Sequence, residues 1–285
     1  MIERVLIVGT GLIGASIGLA LRAAGFAGRI DGWDQSALEL SAAQEMGALD
    51  NAIENQLEAL QLARDAQVIV LAVPVLAIKE WMQQLAPAMS PGQLITDVGS
   101  TKLEITELAG KLYGGEGQAT FLPGHPMAGK ESGGALLAEG TLFNGAMWLF
   151  TPVTAEPTDL EKEWRGWVGF FGTKMLDMDA ARHDEMCAWV SHLPQMLSTA
   201  LSALLEEKFG DAPEIAAIGG RALRETTRLG ASPYSMWRDV ALTNTDPIAD
   251  TLLALEQRLT HVRENLRTPG LREEFSLANK FRSRR

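Results

Sequence analysis

The hydrophobic pattern along the first two-thirds of the chain alternates between two kinds of segment. Short segments read as strands, and the β-branched apolar run that opens the chain reads as a buried one. The strand segments are Arg4–Val8, Arg29–Trp33, 68–73, 93–97, 119–122, 147–151 and 174–178. Between them lie stretches of helical period: 11–24, a segment from Ser36 as N-cap to Met46 with Gly47 as its stop, 76–86 and 159–168. Pro74 ends the third run. Strands separated by helices predict a mostly parallel sheet with helices on both faces, a doubly wound α/β fold of the Rossmann type.

After Asp179 no strand-like run remains. Segments 180–207, 213–229, 234–243 and 248–266 read as helices, with Pro213 and Pro247 at early helical positions that tolerate proline. The pattern therefore predicts two domains, an α/β domain over residues 1–178 and an all-helical domain over residues 179–285. Leu193, Leu197, Leu201, Leu204 and Leu205 give the second domain a long apolar surface, which points to packing against sister helices or a second subunit; a two-fold homodimer is the commonest closed form. The basic tail, 280–285, reads as solvated.

Composition narrows the class. The chain has 285 residues, 46% hydrophobic and 21% charged, enough for a proper core and unlike a disordered chain. Its net charge of −11 disfavours nucleic acid and anionic membrane surfaces as partners. It also means that an anionic substrate needs a local cluster of cations. The single cysteine, Cys187, permits no intrachain disulfide, and the apolar runs are too short to span a bilayer; with no signal-peptide pattern, a cytoplasmic location is the simplest expectation.

Gly9-Thr10-Gly11-Leu12-Ile13-Gly14 matches G-x-G-x-x-G between a strand and a helix, the context in which that short pattern carries meaning. Gly9 permits the tight turn, Gly11 lets a diphosphate approach the backbone, and Gly14 lets the helix pack closely on the strand. The helix N-terminus then offers free N–H groups to the phosphates. Asp34 lies at the end of the second strand, about 20 residues on, where a carboxylate accepts hydrogen bonds from ribose hydroxyls and repels a 2′-phosphate. The expected cofactor is NAD, with NADP less favoured.

Ligands of open parallel sheets bind beyond the carboxyl ends of the strands. That rule selects Val73 and Pro74, which are placed to pack on the cofactor, the segment Asp97-Val98-Gly99-Ser100-Thr101-Lys102, and the segment from Gly124 to Glu131. His125 is the best acid–base candidate there, since imidazole titrates near neutrality and takes a hydroxyl proton as hydride leaves the same carbon. A loop histidine bonded to backbone fits its position equally well. Ser100 suits the same site, although its spacing to Glu104 is closer to that of a helix cap. Arg221, Arg224 and Arg228 share one helix face and offer carboxylate-binding forks, or a solvated basic face paired with Glu225. No metal site is expected: His183 and Cys187 are one helical turn apart, but no further ligand falls at zinc-like spacing. His183 and His192 would face opposite sides of a straight helix, and His183-Asp184 reads as a helix-start pair.

Taken in order, the glycine turn, Asp97-Val98-Gly99-Ser100-Thr101-Lys102, Gly124-His125-Pro126-Met127-Ala128-Gly129-Lys130-Glu131, Ser191-His192-Leu193-Pro194, Thr227-Arg228-Leu229 and Met236-Trp237-Arg238-Asp239 resemble the motifs of the prephenate/arogenate dehydrogenase family of tyrosine biosynthesis. The resemblance covers essentially the whole chain. It implies an NAD-dependent oxidative decarboxylation of prephenate to 4-hydroxyphenylpyruvate, or of arogenate to tyrosine. It places the family's catalytic histidine on His125 and its serine on Ser100. The arginine that binds a substrate carboxylate falls on Arg228, a pocket histidine on His192, a gating or pocket acid on Glu131, and a pocket tryptophan on Trp237. It also implies a homodimer and the minimal catalytic form, with neither a chorismate mutase segment nor an appended regulatory domain. Gln195 stands where some relatives carry another histidine, which leaves prephenate and arogenate both open. Two other readings are weighed. A dehydrogenase of the β-hydroxyacid type would need a lysine where Ser191-His192-Leu193-Pro194 stands, and a non-catalytic NAD-binding sensor would bind cofactor without turnover.

Overall fold

The computed structural model describes residues 1–284. Six parallel strands form the main sheet: β1 (Arg4–Val8), β2 (Arg29–Trp33), β3 (Asn51–Ile53), β4 (Val68–Leu71), β5 (Leu94–Asp97) and β6 (Thr120–Leu122). Their spatial order is β3-β2-β1-β4-β5-β6. The helices that cover them are α1 (Leu12–Ala23), α2 (Ala37–Glu45), α3 (Gln56–Leu62), α4 (Val75–Leu85) and α5 (Leu103–Tyr113). Strand order reverses between β1 and β4, so a crevice opens beyond their carboxyl ends, where the Gly9 and Val73 turns lie. Beyond Arg4, β1 and β4 carry no polar residue because both of their faces are roofed by helices. Val5, Ile7 and Val70 pack into one apolar cluster and Leu6, Ile69 and Leu71 into the other.

The expectation of one sheet is corrected. A second, three-stranded sheet is built from β7 (Gly124–Pro126), β8 (Met147–Phe150) and β9 (Lys174–Asp177), with β7 antiparallel to β8 and β8 parallel to β9. Helix α6 (Asp159–Phe170) joins β8 to β9 and begins in a capping box between Thr158 and Glu161. His125 therefore sits on a strand, opposite Leu149, and not in a loop. β7 is invisible to periodicity because three residues containing glycine and proline carry no alternation. β3 and α3 also lie in a stretch whose pattern gave no element.

The last third is helical: α7 (Ala180–Cys187), α8 (Leu193–Phe209), α9 (Pro213–Ile218), α10 (Arg221–Thr227), α11 (Tyr234–Thr243), α12 (Thr245–Glu264) and α13 (Gly270–Arg282). Three expectations change here. The single helix expected over 180–207 is broken by a π-helical turn, Ala188–His192, so the straight-helix phase assumed for His183 and His192 does not hold, and both rings are buried. The segment 213–229 divides at Gly219 and Gly220 and ends in a 3-10 turn, Arg228–Ala231. Much of the expected basic tail belongs to α13, and Arg285 lies outside the described residues. Among the described residues no helix is long and apolar enough to cross a membrane.

Polar contacts stitch the helical part to the α/β part. The Thr101 and Thr243 hydroxyls are 2.7 Å apart, and the Leu76 amide donates to Asp239. Asp184 of α7 accepts from the amides of Lys102 and Leu103 at 2.7 and 2.9 Å. It thereby caps α5, which has no cap of its own. This replaces the reading of Ser100 as a cap paired with Glu104, whose carboxylate instead holds Lys79.

Candidate active site

One cleft of about 590 Å³ runs from the glycine turn to the helical part, and residues from both line it. At the cofactor end, Gly9 has φ +90°, and a Cβ there would lie 2.4 Å from the Ala72 carbonyl oxygen. A Cβ on Gly14 would come within 1.9 Å of the Gly9 carbonyl oxygen, so this position admits no side chain. A Cβ on Gly11 would meet nothing within 4 Å, and no side chain caps α1. The backbone is thus open to an anion where the helix's first N–H groups point. The Asp34 carboxylate is fixed by the Thr10 amide at 2.7 Å and the Ser36 amide at 2.8 Å, one to each oxygen, which leaves lone pairs free. Leu12, Ile13, Val73 and Pro74 line the adjoining wall.

Ser100, His125 and Glu131 come to the middle of the cleft from the α/β part, and His192, Arg228 and Trp237 from the helical part. His125 is 8% exposed, with Nδ1 2.9 Å from His183 Nε2. Its proton affinity is held well below that of a free imidazole, first by burial and then by His183, the Lys102 ammonium and His192. Ser100 is half-buried and its hydroxyl has no partner among the described residues. Arg228 ion-pairs with Glu131 across the mouth, both partly exposed. Of the three arginines expected on one face, Arg221 pairs with Glu225 and Arg224 reaches the Gly219 carbonyl, so only Arg228 lines the cleft.

His192 is 1% exposed and stacks edge-on to Trp237 at 5.8 Å. Asn244 Nδ2 lies 3.1 Å from its Nδ1, while its Nε2 has no partner. An amide N–H there makes Nδ1 the acceptor, so the neutral ring presents Nε2–H as an unused donor. Burial pushes the His192 pKa down to about 4. In the unfolded chain the ring takes up its proton near the ordinary value of about 6.5. The fold is therefore fully stabilised above that pH and loses stability as pH falls toward 4, on the order of 3 kcal/mol from this group. Urea denaturation at about pH 7 and about pH 4.5 checks this; His192→Gln should lose less on acidification than the wild type, and equal losses would refute it.

Three polar groups central to the site have no role assigned from sequence. Asp97 and Lys102 form an ion pair with both side chains at 0% exposure. Burial pushes the Asp97 pKa up and the Lys102 pKa down, and each charge pulls the other back. The Asp97 carboxylate also accepts from the amides of Gly99 at 2.7 Å and Gly124 at 3.1 Å, which locks the start of β7 and so the place of His125. His183 was expected at a helix start; it is interior to α7, whose cap is Asp179. The tertiary fold also adds a third residue to the His183 and Cys187 pair, because His125 lies with them in a cluster whose candidate ligand atoms are within 4.8 Å of one another. Burial raises the Cys187 thiol pKa to about 12, which keeps it protonated. His125 and His183 are 58 residues apart, so no local spacing signals their contact.

Comparison with known proteins agrees with this geometry. Residues 17–167 match the family described as prephenate dehydrogenase, nucleotide-binding domain, and residues 179–281 match prephenate dehydrogenase, dimerization domain. The chain belongs to the prephenate dehydrogenase family. A prephenate dehydrogenase of Lactococcus lactis subsp. cremoris is 33% identical over 263 residues, covering 92% of this chain and 70% of that one. Among solved structures, prephenate dehydrogenase from A. aeolicus in complex with hydroxyphenyl propionate and NAD+ superposes with a TM-score of 0.84 at 27% identity, covering 99% and 96% of the two chains. Synechocystis arogenate dehydrogenase gives 0.78 at 30% identity, covering 99% of each. An oxidoreductase of this type is what these relatives establish; they include both prephenate and arogenate enzymes.

Proposed function

We propose that this chain uses NAD to oxidise and decarboxylate prephenate or its amino counterpart arogenate. The observation that carries the reading is His125: a buried imidazole on the wall of one cleft that begins at the uncapped end of α1 and reaches Arg228. The open backbone at Gly11 fits a diphosphate, and the fixed Asp34 carboxylate fits ribose hydroxyls and disfavours a 2′-phosphate, which supports NAD over NADP. When bound, the nicotinamide supplies the hydride acceptor.

The chain's own residues do the rest. His125 accepts the proton of the ring hydroxyl as hydride leaves the same carbon and a carbonyl forms. The bond to the ring carboxylate breaks, its electron pair enters the ring, carbon dioxide departs, and the oxygen becomes a phenolate that takes the proton back from His125 and ends as a phenol. Ser100 orients the hydroxyl. A substrate carboxylate replaces Glu131 on the Arg228 fork, and the His192 Nε2–H donates to a second oxygen of the substrate. Trp237 fixes the His192 ring through its edge contact. Residues 1–178 thus hold the cofactor, and residues 179–285 supply carboxylate recognition.

The test is reduction of NAD+ or NADP+ by purified protein with prephenate or arogenate; turnover with one pair identifies both partners, and none with any pair refutes the reading. Arg228→Gln is expected to raise the substrate KM about 10- to 100-fold, equivalent to a lost charge-assisted pair, while NAD affinity stays within about twofold. A fall in NAD affinity instead would place Arg228 in the cofactor site. A homodimer is supported by the dimerization-domain match and by exposed Leu253, Leu259, Phe275 and Leu277 on α12 and α13. Light scattering at twice 30.8 kDa is the expected result, and a monomer mass would refute it.

A further inference from the structure

We infer that His183 and Asp184 are positioning residues for His125: a buried Asp184–His183–His125 chain fixes which nitrogen of His125 meets the cleft. The inference deepens the proposed reaction and rests on it only for its kinetic consequence.

The direction of the chain follows from donor and acceptor chemistry. Asp184 Oδ1 lies 2.8 Å from His183 Nδ1, and a carboxylate only accepts, so His183 Nδ1 carries a hydrogen. A neutral imidazole has one N–H, which makes His183 Nε2 an acceptor. It lies 2.9 Å from His125 Nδ1, which must then be the donor. His125 Nε2 is left bare at the cleft wall, the form a general base requires.

Asp184 is in turn immobile. Its two oxygens accept the amides of Lys102 and Leu103 at the start of α5, and His183 is 0% exposed, so neither group turns toward water. Among the described residues, the only other polar contact of His183 Nε2 is the Cys187 sulfur at 3.6 Å, a weak partner. His192 is set the opposite way by Asn244, with its Nε2 protonated. The same cleft thus holds two neutral histidines in opposite tautomers, one accepting and one donating. When His125 takes up the hydroxyl proton, its new charge is met through Nδ1–H by the His183 lone pair, with the Asp184 carboxylate beyond. Asp184 and His183 belong to the helical part and His125 to the α/β part, so the base is assembled only when the two parts are docked.

The experiment is nitrogen–proton correlation NMR of the intact protein labelled with 15N-histidine. The chain has four histidines, and His125→Asn identifies the signal. His125 is expected with a proton on Nδ1 and none on Nε2, and His183→Leu is expected to shift it toward the Nε2–H form. In turnover, His183→Leu should lower kcat about 100-fold with substrate KM and NAD affinity within about threefold. His183→Gln places an amide oxygen near the lost acceptor and should recover kcat to within about tenfold of wild type. An Nε2–H His125 in the wild type, or His183→Leu with unchanged kcat and tautomer, overturns the inference. If neither substrate turns over, the reaction reading fails while the tautomer still decides this one. If His183→Leu does not fold, the wild-type spectrum and the glutamine variant decide it.

Discussion

His125→Asn is expected to lower kcat about 10³-fold while leaving NAD affinity unchanged, within the range of about 10²- to 10⁴-fold that a general base contributes. Asparagine is chosen because its amide N–H falls near the place of Nδ1, and so keeps the donation to His183 that the fold contains. It removes Nε2, the nitrogen that the contact with His183 leaves free to take a proton. Loss of packing is small, since both side chains are planar and polar, and a change in stability would show separately in denaturation. The depressed proton affinity of His125 also fixes the pH behaviour. The base form persists below the ordinary histidine range, so kcat/KM should hold as pH falls through about 6.5 and decline only further down. Steady-state kinetics across pH, with cofactor binding followed by fluorescence, check both statements. Wild-type turnover in the variant, or an acid limb centred at the ordinary histidine value, would remove His125 from the role.

The second large effect belongs to the Asp97–Lys102 pair. Lys102→Met should destabilise the fold by about 3–5 kcal/mol, because it leaves a fully buried carboxylate with two backbone amides and no cation. Methionine fills a similar volume, so the cost is electrostatic and not a cavity. The double variant Asp97→Asn/Lys102→Met should recover a large part of the loss, since it removes the charge that was left unpaired. Urea titrations of the wild type and the two variants measure this. If the double variant is no better than Lys102→Met alone, the pair's charge is not what stabilises the β5–β7 junction. Turnover in the double variant should still fall below wild type. A neutral amide in place of the Asp97 carboxylate is a weaker acceptor for the Gly124 N–H and loosens the start of the strand that carries His125.

Much of this was legible in the chain, for identifiable reasons. β1 and β2 were placed to the residue, and for β1 the reason is that a strand buried on both faces must be largely apolar along its length. The glycine turn was legible because only glycine meets its constraints: Gly9 needs a positive φ, and Gly14 has no room for a Cβ. The family motifs pointed to His125, Ser100, Glu131, His192, Arg228 and Trp237, and the fold gathers all six in one cleft. Their roles are what the substitutions test.

What the sequence by itself determined, then, was whatever depends on neighbours in the chain: the strand and helix periods, the phosphate-binding turn, and the change from α/β to helical character after Asp179. Only the tertiary structure decided the rest. β7 exists because its three residues find β8 as a partner, not because of their own propensity. The π-helical turn brings His183 and His192 into one buried neighbourhood that a regular helical period would separate. Asp184 caps α5 from a helix more than eighty residues on, where no N-terminal signature reaches. The tautomers of His125 and His192 are set by hydrogen bonds between residues far apart in the chain, and a proton's place is a property of the contact, not of the residue.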